Sequence, residues 1–183
     1  YTGPYTLTYS SKMNLGSHNV SFSSTSYTYN GKVKTPSITV KDNFGRYLTK
    51  GVDYVVTVPS GRKNIGTYTY KVTFMGDYNG TVTKTFQIKP ARTKITKLKK
   101  KSNGIRVTWK KVSNASGYIV YRRMNDGSYK KIKTIKSKKT CSYLDKGARY
   151  RWNRYYYKVV AYKKVAGKTY RSKASKIKSI YRR

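Results

Sequence analysis

Apolar and polar residues alternate with a period of two over most of this chain, in short runs rich in Val, Ile, Thr and Tyr. Gly, Asn, Asp or Pro breaks these runs roughly every 8 to 12 residues. Such alternation sends successive side chains to opposite faces of an extended strand, and no stretch of helical length carries a 3.6-residue apolar period with caps. The pattern predicts an all-β protein. Strands are expected near 19–23, 27–29, 36–41, 46–48, 52–58, 67–74 and 81–88, then near 93–98, 104–110, 117–123, 128–135, 140–144, 154–163 and 169–180. Asn30-Gly31, Asp42-Asn43-Phe44-Gly45, Pro59-Ser60-Gly61 and the segment from Gly76 to Gly80 mark turns, because these residues supply positive φ or preset turn geometry. Two successive sets of seven short strands imply two tandem antiparallel β-sandwiches. Pro90 and a shift of composition place a linker at 90–92, between a first domain at 19–89 and a second at 93–183. Residues 1–18 find no partner in this pattern and are expected to be a leader or the tail of a preceding domain.

Parity then divides each strand into a core face and an outer face. Ile105, Val107 and Trp109 share one side of their strand, against Arg106, Thr108 and Lys110. Tyr155, Tyr157, Val159 and Ala161 likewise oppose Tyr156, Lys158, Val160 and Tyr162. The first member set of each strand is expected in the core, with Trp109 packing there rather than serving as a ligand platform.

Composition changes this picture in two ways. Of 183 residues, 37% are hydrophobic and 27 are aromatic, 21 of them Tyr, enough to bury a core and to exclude wholesale disorder. The longest apolar stretch, around Val55–Val58, falls far short of the ~20 residues of a membrane helix, so no membrane insertion is expected. One Cys and one His exclude a disulfide framework and any His/Cys metal cluster within the chain. Cys141, in a predicted strand, is expected to be a small packing residue, and His18 a solvated loop residue. No carboxylate pair and no strand, Gly-rich loop and helix unit offers catalytic or phosphate-cradling chemistry, so no cofactor and no enzymatic activity are expected. The chain starts without an initiator Met and shows no sorting motif, which reads as a fragment of something larger.

Charge is the second change. Lys and Arg number 42 against five Asp and no Glu, for a net charge of +37. Residues 1–90 carry 11 basic and 3 acidic side chains, net +8, whereas residues 91–183 carry 31 and 2, net +29. All five Asp stand beside Gly or Asn or at a strand end, where a short carboxylate bonds turn backbone. Negative charge is kept where backbone geometry asks for it, and the open surface is left positive.

Several segments of the second half then form a recognisable series. Ile-Arg-Val-Thr-Trp-Lys-Lys-Val at 105–112, Ala-Ser-Gly-Tyr-Ile-Val-Tyr-Arg-Arg at 115–123, Gly-Ser-Tyr-Lys-Lys-Ile at 127–132 and Tyr-Tyr-Tyr-Lys-Val-Val-Ala-Tyr at 155–162 resemble a bacterial fibronectin type III domain. The resemblance covers about 92–181 and implies that Tyr155 is the corner tyrosine that pins its strand. One departure is Lys146 to Arg154, bulkier and more basic than the usual short turn there. The first half, through Tyr29-Asn-Gly-Lys32, Thr35-Pro36, Gly51-Val-Asp-Tyr54, Asn64-Ile-Gly-Thr-Tyr68, Gly76 to Thr81 and Phe86-Gln-Ile88, resembles a bacterial immunoglobulin-like repeat of surface proteins, over about 19–89. Together the resemblances imply an extracellular setting, at the cell surface or secreted.

The expected function is therefore a non-enzymatic extracellular spacer or adhesion module whose basic second domain binds an anionic partner. Teichoic acid, a sulfated or sialylated glycan, nucleic acid, or a host protein such as an immunoglobulin would each supply the negative charge. In a fibronectin-type sandwich the strands at 117–123 and 154–163 are neighbours, so Ile119, Tyr121 and Arg123 should lie beside Tyr156, Lys158, Val160 and Tyr162. Tyrosines interleaved with Lys and Arg can stack on sugars or bases while pairing with anionic groups. The expected binding residues are Tyr121, Arg123, Lys131, Lys133, Tyr156, Lys158 and Tyr162. Two other classes are accessory domains of a secreted hydrolase and an intracellular nucleic-acid-binding protein; the latter fits the charge but finds no nucleic-acid motif.

Overall fold

Backbone hydrogen bonding converts the alternation into strands almost wherever it is sustained. The computed structural model describes residues 11–183 and is all-β within them, apart from a 3₁₀ turn at Ser17–Asn19. The chain divides into two compact units, one of residues up to Tyr27 with Val33–Arg62 and Thr67–Gln87, the other of Thr28–Lys32, Lys63–Gly66 and Ile88–Arg183.

The first half holds β1 (Met13–Asn14), β2 (Val20–Phe22), β3 (Ser26–Thr28), β4 (Ile38–Val40), β5 (Tyr54–Thr57), β6 (Gly66–Phe74), β7 (Tyr78–Asn79) and β8 (Thr81–Lys89). They pair in the orders β3-β8-β6-β5, β2-β4 and β1-β7. Alternate residues Tyr70, Val72 and Phe74 of β6 point inward, beside Val20, Val40 and Val82. Phe86, fully buried, gathers the rings of Phe22, Tyr27, Tyr68 and Tyr70 at centroid distances between 5.5 and 6.4 Å.

Two expectations fail in this half, each for a local reason. Residues 1–10 of the expected leader lie outside the described residues, but the remainder is not loose. Met13 N–H donates to the Asp77 carbonyl at 2.9 Å and Leu15 N–H to the Asn79 carbonyl at 3.1 Å, and Leu15 is 6% exposed in the core. Two apolar residues spaced by two make a run too short to register as a strand, yet a parallel bridge needs no more. At 46–48 the expected strand is a single bridge, Lys41 to Tyr47. Asp42 closes the turn before it, accepting from the N–H groups of Phe44 and Arg46, each at 2.9 Å, and from Arg46 Nε at 2.6 Å. Burial would raise the Asp42 pKa, but these donors hold it below the ordinary carboxylate value.

The second half holds β9 (Ile95–Lys101), β10 (Gly104–Trp109), β11 (Gly117–Met124), β12 (Lys130–Ile135), β13 (Ser142–Asp145), β14 (Asn153–Val165), β15 (Lys168–Arg171) and β16 (Lys178–Arg182). One sheet runs β13-β10-β9; the other runs β12-β11-β14, with β15 and β16 both on the far side of β14. These antiparallel sheets enclose a core of Ile95, Ile105, Val107, Trp109, Tyr118, Val120, Tyr155, Tyr157 and Val159, an Fn3/Ig-like β-sandwich with Trp109 inside. The expected linker leads directly into it, since Ala91 packs against this core and buried Thr93 donates its hydroxyl to the Lys110 carbonyl at 2.5 Å.

The single strand expected at 169–180 is split between β15 and β16. At the break, Ser172 and Ser175 still donate N–H bonds to the Ala161 and Val159 carbonyls, both at 2.9 Å. Their hydroxyls accept the N–H groups of Ala161 and Val159 at 3.0 Å, where a regular strand would offer carbonyls. The ladder is satisfied without its geometry. Close approach decides one glycine: a Cβ on Gly117 would collide with the Ile135 carbonyl oxygen and lie 2.8 Å from the Tyr162 hydroxyl.

Candidate functional site

The functional question falls on the outer faces of β11, β12 and β14. β11 and β14 pair as expected, with Ile119 opposite Val160, Tyr121 opposite Lys158 and Arg123 opposite Tyr156. On the other side of β11, Lys131 stands opposite Tyr121 and Lys130 opposite Arg122, and Tyr129, the residue just before β12, lies beside Arg123. Two rows therefore cross three strands. One reads Tyr129, Arg123, Tyr156; the next reads Lys131, Tyr121, Lys158.

The rows interleave tyrosines and cations in both directions. Arg123 lies over the Tyr156 ring at 4.1 Å and near the Tyr129 ring at 5.5 Å. Lys158 Nζ sits 4.0 Å from the Tyr129 centroid and 5.7 Å from that of Tyr121. Arg154 over Tyr181, at 5.8 Å on β14 and β16, continues the pattern. Arg123, Lys158 and Arg154 face π-electron density and Lys131 stands opposite Tyr121, so in these rows no cation lies directly across strands from another. Aromatic faces order these side chains without neutralising them. Among the described residues the ion pairs are Arg46 with Asp42 and Arg122 with Asp145, and neither involves this face.

Tyr129 is the residue that sequence reasoning missed. Its hydroxyl and Arg123 Nε are both buried. Burial raises the Tyr129 pKa, partly offset by the guanidinium beside it. Its signal was present in the sequence, because Tyr129 and Lys131 share the outward parity of Tyr121.

Two expected residues need correction. Tyr162 is 4% exposed and donates to the Ile135 carbonyl at 3.3 Å, closing a small buried cluster with Ile119 and Val160 on this same side of the sheet. It cannot meet a ligand there. Parity placed it outward, but Tyr121 and Ala174 pack against that cluster. Lys133 is exposed but stands opposite buried Val120, because a bulge between Val120 and Tyr121 shifts the register. The expected face thus shrinks to Tyr121, Arg123, Lys131, Tyr156 and Lys158, and gains Tyr129.

Behind this face Arg122 of β11 and Tyr157 of β14 join Asp145 of β13, in the other sheet, in a polar network. Asp145, 2% exposed, accepts from Arg122 at 3.0 and 3.1 Å, from the Tyr157 hydroxyl at 2.8 Å and from the Gly147 N–H at 3.1 Å. The corner tyrosine is as expected: Tyr155 Oη accepts the Tyr150 N–H at 3.2 Å and donates to the Tyr150 carbonyl at 3.1 Å. Of the residues weighed for chemistry, Cys141 is half-buried with Sγ 3.9 Å from the Tyr118 hydroxyl, and His18 lies exposed 3.2 Å from Asn43 Oδ1. Neither has a positioned acid or base.

No protein-family model matches the sequence, and no curated protein matches it. Among solved structures the chain is similar to an Fn3-like protein from Clostridium thermocellum, at 28% identity and TM-score 0.34 over 49% of this chain and 88% of that one. It is also similar to the FN1–FN3 domains of chicken CNTN1, at 16% identity and TM-score 0.41 over 94% and 69% of the two chains. A third similarity is to the BSP domain of a biofilm associated protein, at 16% identity and TM-score 0.30 over 91% and 30%.

Proposed function

We propose that the chain is a non-enzymatic extracellular spacer or adhesion module, at a bacterial surface or secreted, whose second domain binds a polyanion on the outer face of β12-β11-β14. The observation that carries this is the interleaving of Arg123, Lys131 and Lys158 with Tyr121, Tyr129 and Tyr156. Diagonal neighbours across a sheet stand about 7–8 Å apart, so Arg123 and Lys158 can meet successive charged groups of one polymer. The resemblance of the first half to a repeat of bacterial surface proteins supports the extracellular setting, and the net charge of +29 on residues 91–183 supports the sign of the partner.

Binding should be dominated by release of counterions condensed on the polymer, so affinity falls steeply with salt. Titrating the whole chain with heparin at increasing salt tests this. Several contacts predict a loss of roughly one to three orders of magnitude between low and physiological salt. Lys131→Glu should flatten the slope of log affinity against log salt. Failure to bind heparin at low salt would leave the positive surface merely solvated and the spacer role standing alone.

A further inference from the structure

The segment between β13 and β14 combines features that the strands around it do not require. Trp152 has φ +61°, and its side chain is left 70% exposed. Among the described residues the other non-glycine residues with positive φ are Asn125, a residue that tolerates this region, and Ala166, in the tight turn from β14 to β15. Backbone geometry alone would favour Gly or Asn at 152, so the indole itself needs an explanation.

The segment is also firmly held. Ala148 is buried in the core, Tyr150 is bonded on both its N–H and its carbonyl by Tyr155, and Trp152 N–H donates to the Arg182 carbonyl at 2.6 Å. Asn153 Nδ2 donates to the Arg151 carbonyl at 2.8 Å. From this fixed backbone project Arg149, Tyr150, Arg151, Trp152 and Arg154, all exposed. Tyr150 also forms one wall of a cleft of about 400 Å³ that Arg122, Ser128 and Lys130 help to line.

We infer that this loop is a second contact for the ligand and that it reads an acidic polysaccharide, with a sugar ring stacked on Trp152 and carboxylate or sulfate groups paired with Arg149, Arg151 and Arg154. This rests on the polyanion-binding role proposed above and adds recognition of the sugar to it. Three points favour the assignment. A rigid, exposed indole offers a broad flat face with little conformational entropy to lose. The cations of the segment from Arg149 to Arg154 are all Arg, whose planar forks match carboxylate and sulfate bidentately, whereas Lys predominates elsewhere in this half. The backbone is ordered before the ligand arrives, so binding has less to fix.

The chain supplies its own reporter, because its two tryptophans differ so strongly: Trp109 is 2% exposed and Trp152 is 70% exposed. In the whole chain at low salt, acrylamide should quench the Trp152 emission readily, and saturating heparin should shield it severalfold and shift it to the blue. Trp152→Gly should remove the accessible component and weaken heparin binding roughly tenfold while leaving the salt slope intact, since stacking is scarcely screened. Its melting temperature should not fall, because glycine suits the backbone at this position.

Heparin that binds without shielding Trp152 would overturn the loop contact and leave the proposed polyanion binding standing. No heparin binding at all would overturn both. Shielding by oligothymidylate but not by heparin would overturn the polysaccharide in favour of single-stranded nucleic acid. The shielding measurement uses the unaltered protein, so it decides the matter even if the variant misfolds.

Discussion

The inner and outer faces of β11 and β14 use the same residue type in opposite ways. Inside, Tyr118, Tyr155 and Tyr157 are fully buried and each hydroxyl has a fixed partner: the Val112 N–H at 2.8 Å, the Tyr150 backbone and Asp145. Outside, Tyr121 and Tyr156 are half-buried, and it is their rings that are occupied, by Lys158 and Arg123. A buried tyrosine must satisfy its hydroxyl, so on the inner face the oxygen fixes loops and the corner. Beside lysines and arginines with few acids to pair with, the ring's negative face orders cations instead. One residue type thus serves both as a core fastener and as a mount for positive charge, and strand parity decides which.

The comparison breaks most severely at Asp145, on which the inner network converges. Asp145→Ala removes the partner of Arg122 and leaves the buried Tyr157 hydroxyl without an acceptor, and should cost about 3–5 kcal/mol, measured by urea unfolding. An effect below about 1 kcal/mol would mean that packing alone holds the inner face. Next in size is alkaline sensitivity. Burial raises the pKa of Tyr118, Tyr155 and Tyr157, and for Tyr157 the Asp145 carboxylate raises it further. Folded-state values above the unfolded value of about 10 mean that these groups contribute stability in full below pH ~10 and lose it as pH rises toward the folded values. Tyrosinate absorbance should therefore appear in two stages: some exposed tyrosines first, then the inner set together with loss of the near-ultraviolet dichroism of the core. A single smooth titration that leaves the dichroism unchanged would contradict the contrast.

Much of this contrast was legible in the alternation itself. Parity alone separates Tyr155, Tyr157 and Val159 from Tyr156 and Lys158, and the neighbouring of β11 and β14 followed from the fibronectin resemblance. Parity does not say what covers an outer face, so Tyr162 and Val160 read as exposed although Tyr121 and Ala174 pack against their cluster. Nor does it locate a bulge, so Lys133 reads as part of the face, whereas Tyr129 has the parity of Lys131 and was legible without the structure. The unusual bulk and charge of residues 146–154 stood out in the sequence. The positive φ of Trp152 did not, because a left-handed residue in a loop leaves no mark when it is not Gly or Asn.

The smallest expected effect sharpens the comparison most, since it removes only an oxygen. Tyr157→Phe deletes the 2.8 Å bond to Asp145 while Arg122 and the Gly147 N–H remain, and should cost about 1–2 kcal/mol of stability, with heparin affinity unchanged. Tyr156→Phe on the outer face keeps the ring that carries Arg123 and should change stability by no more than about 0.5 kcal/mol. Affinity should also hold, because a phenyl ring presents a similar π-face to the guanidinium. Tyr156→Ala removes that ring, frees Arg123 to swing into water and should weaken heparin binding by about 1 kcal/mol with little loss of stability. If Tyr156→Phe weakens binding as much as Tyr156→Ala does, the outer hydroxyl is itself a ligand group. The division between ring outside and oxygen inside would then fail at the residue where it is drawn most clearly.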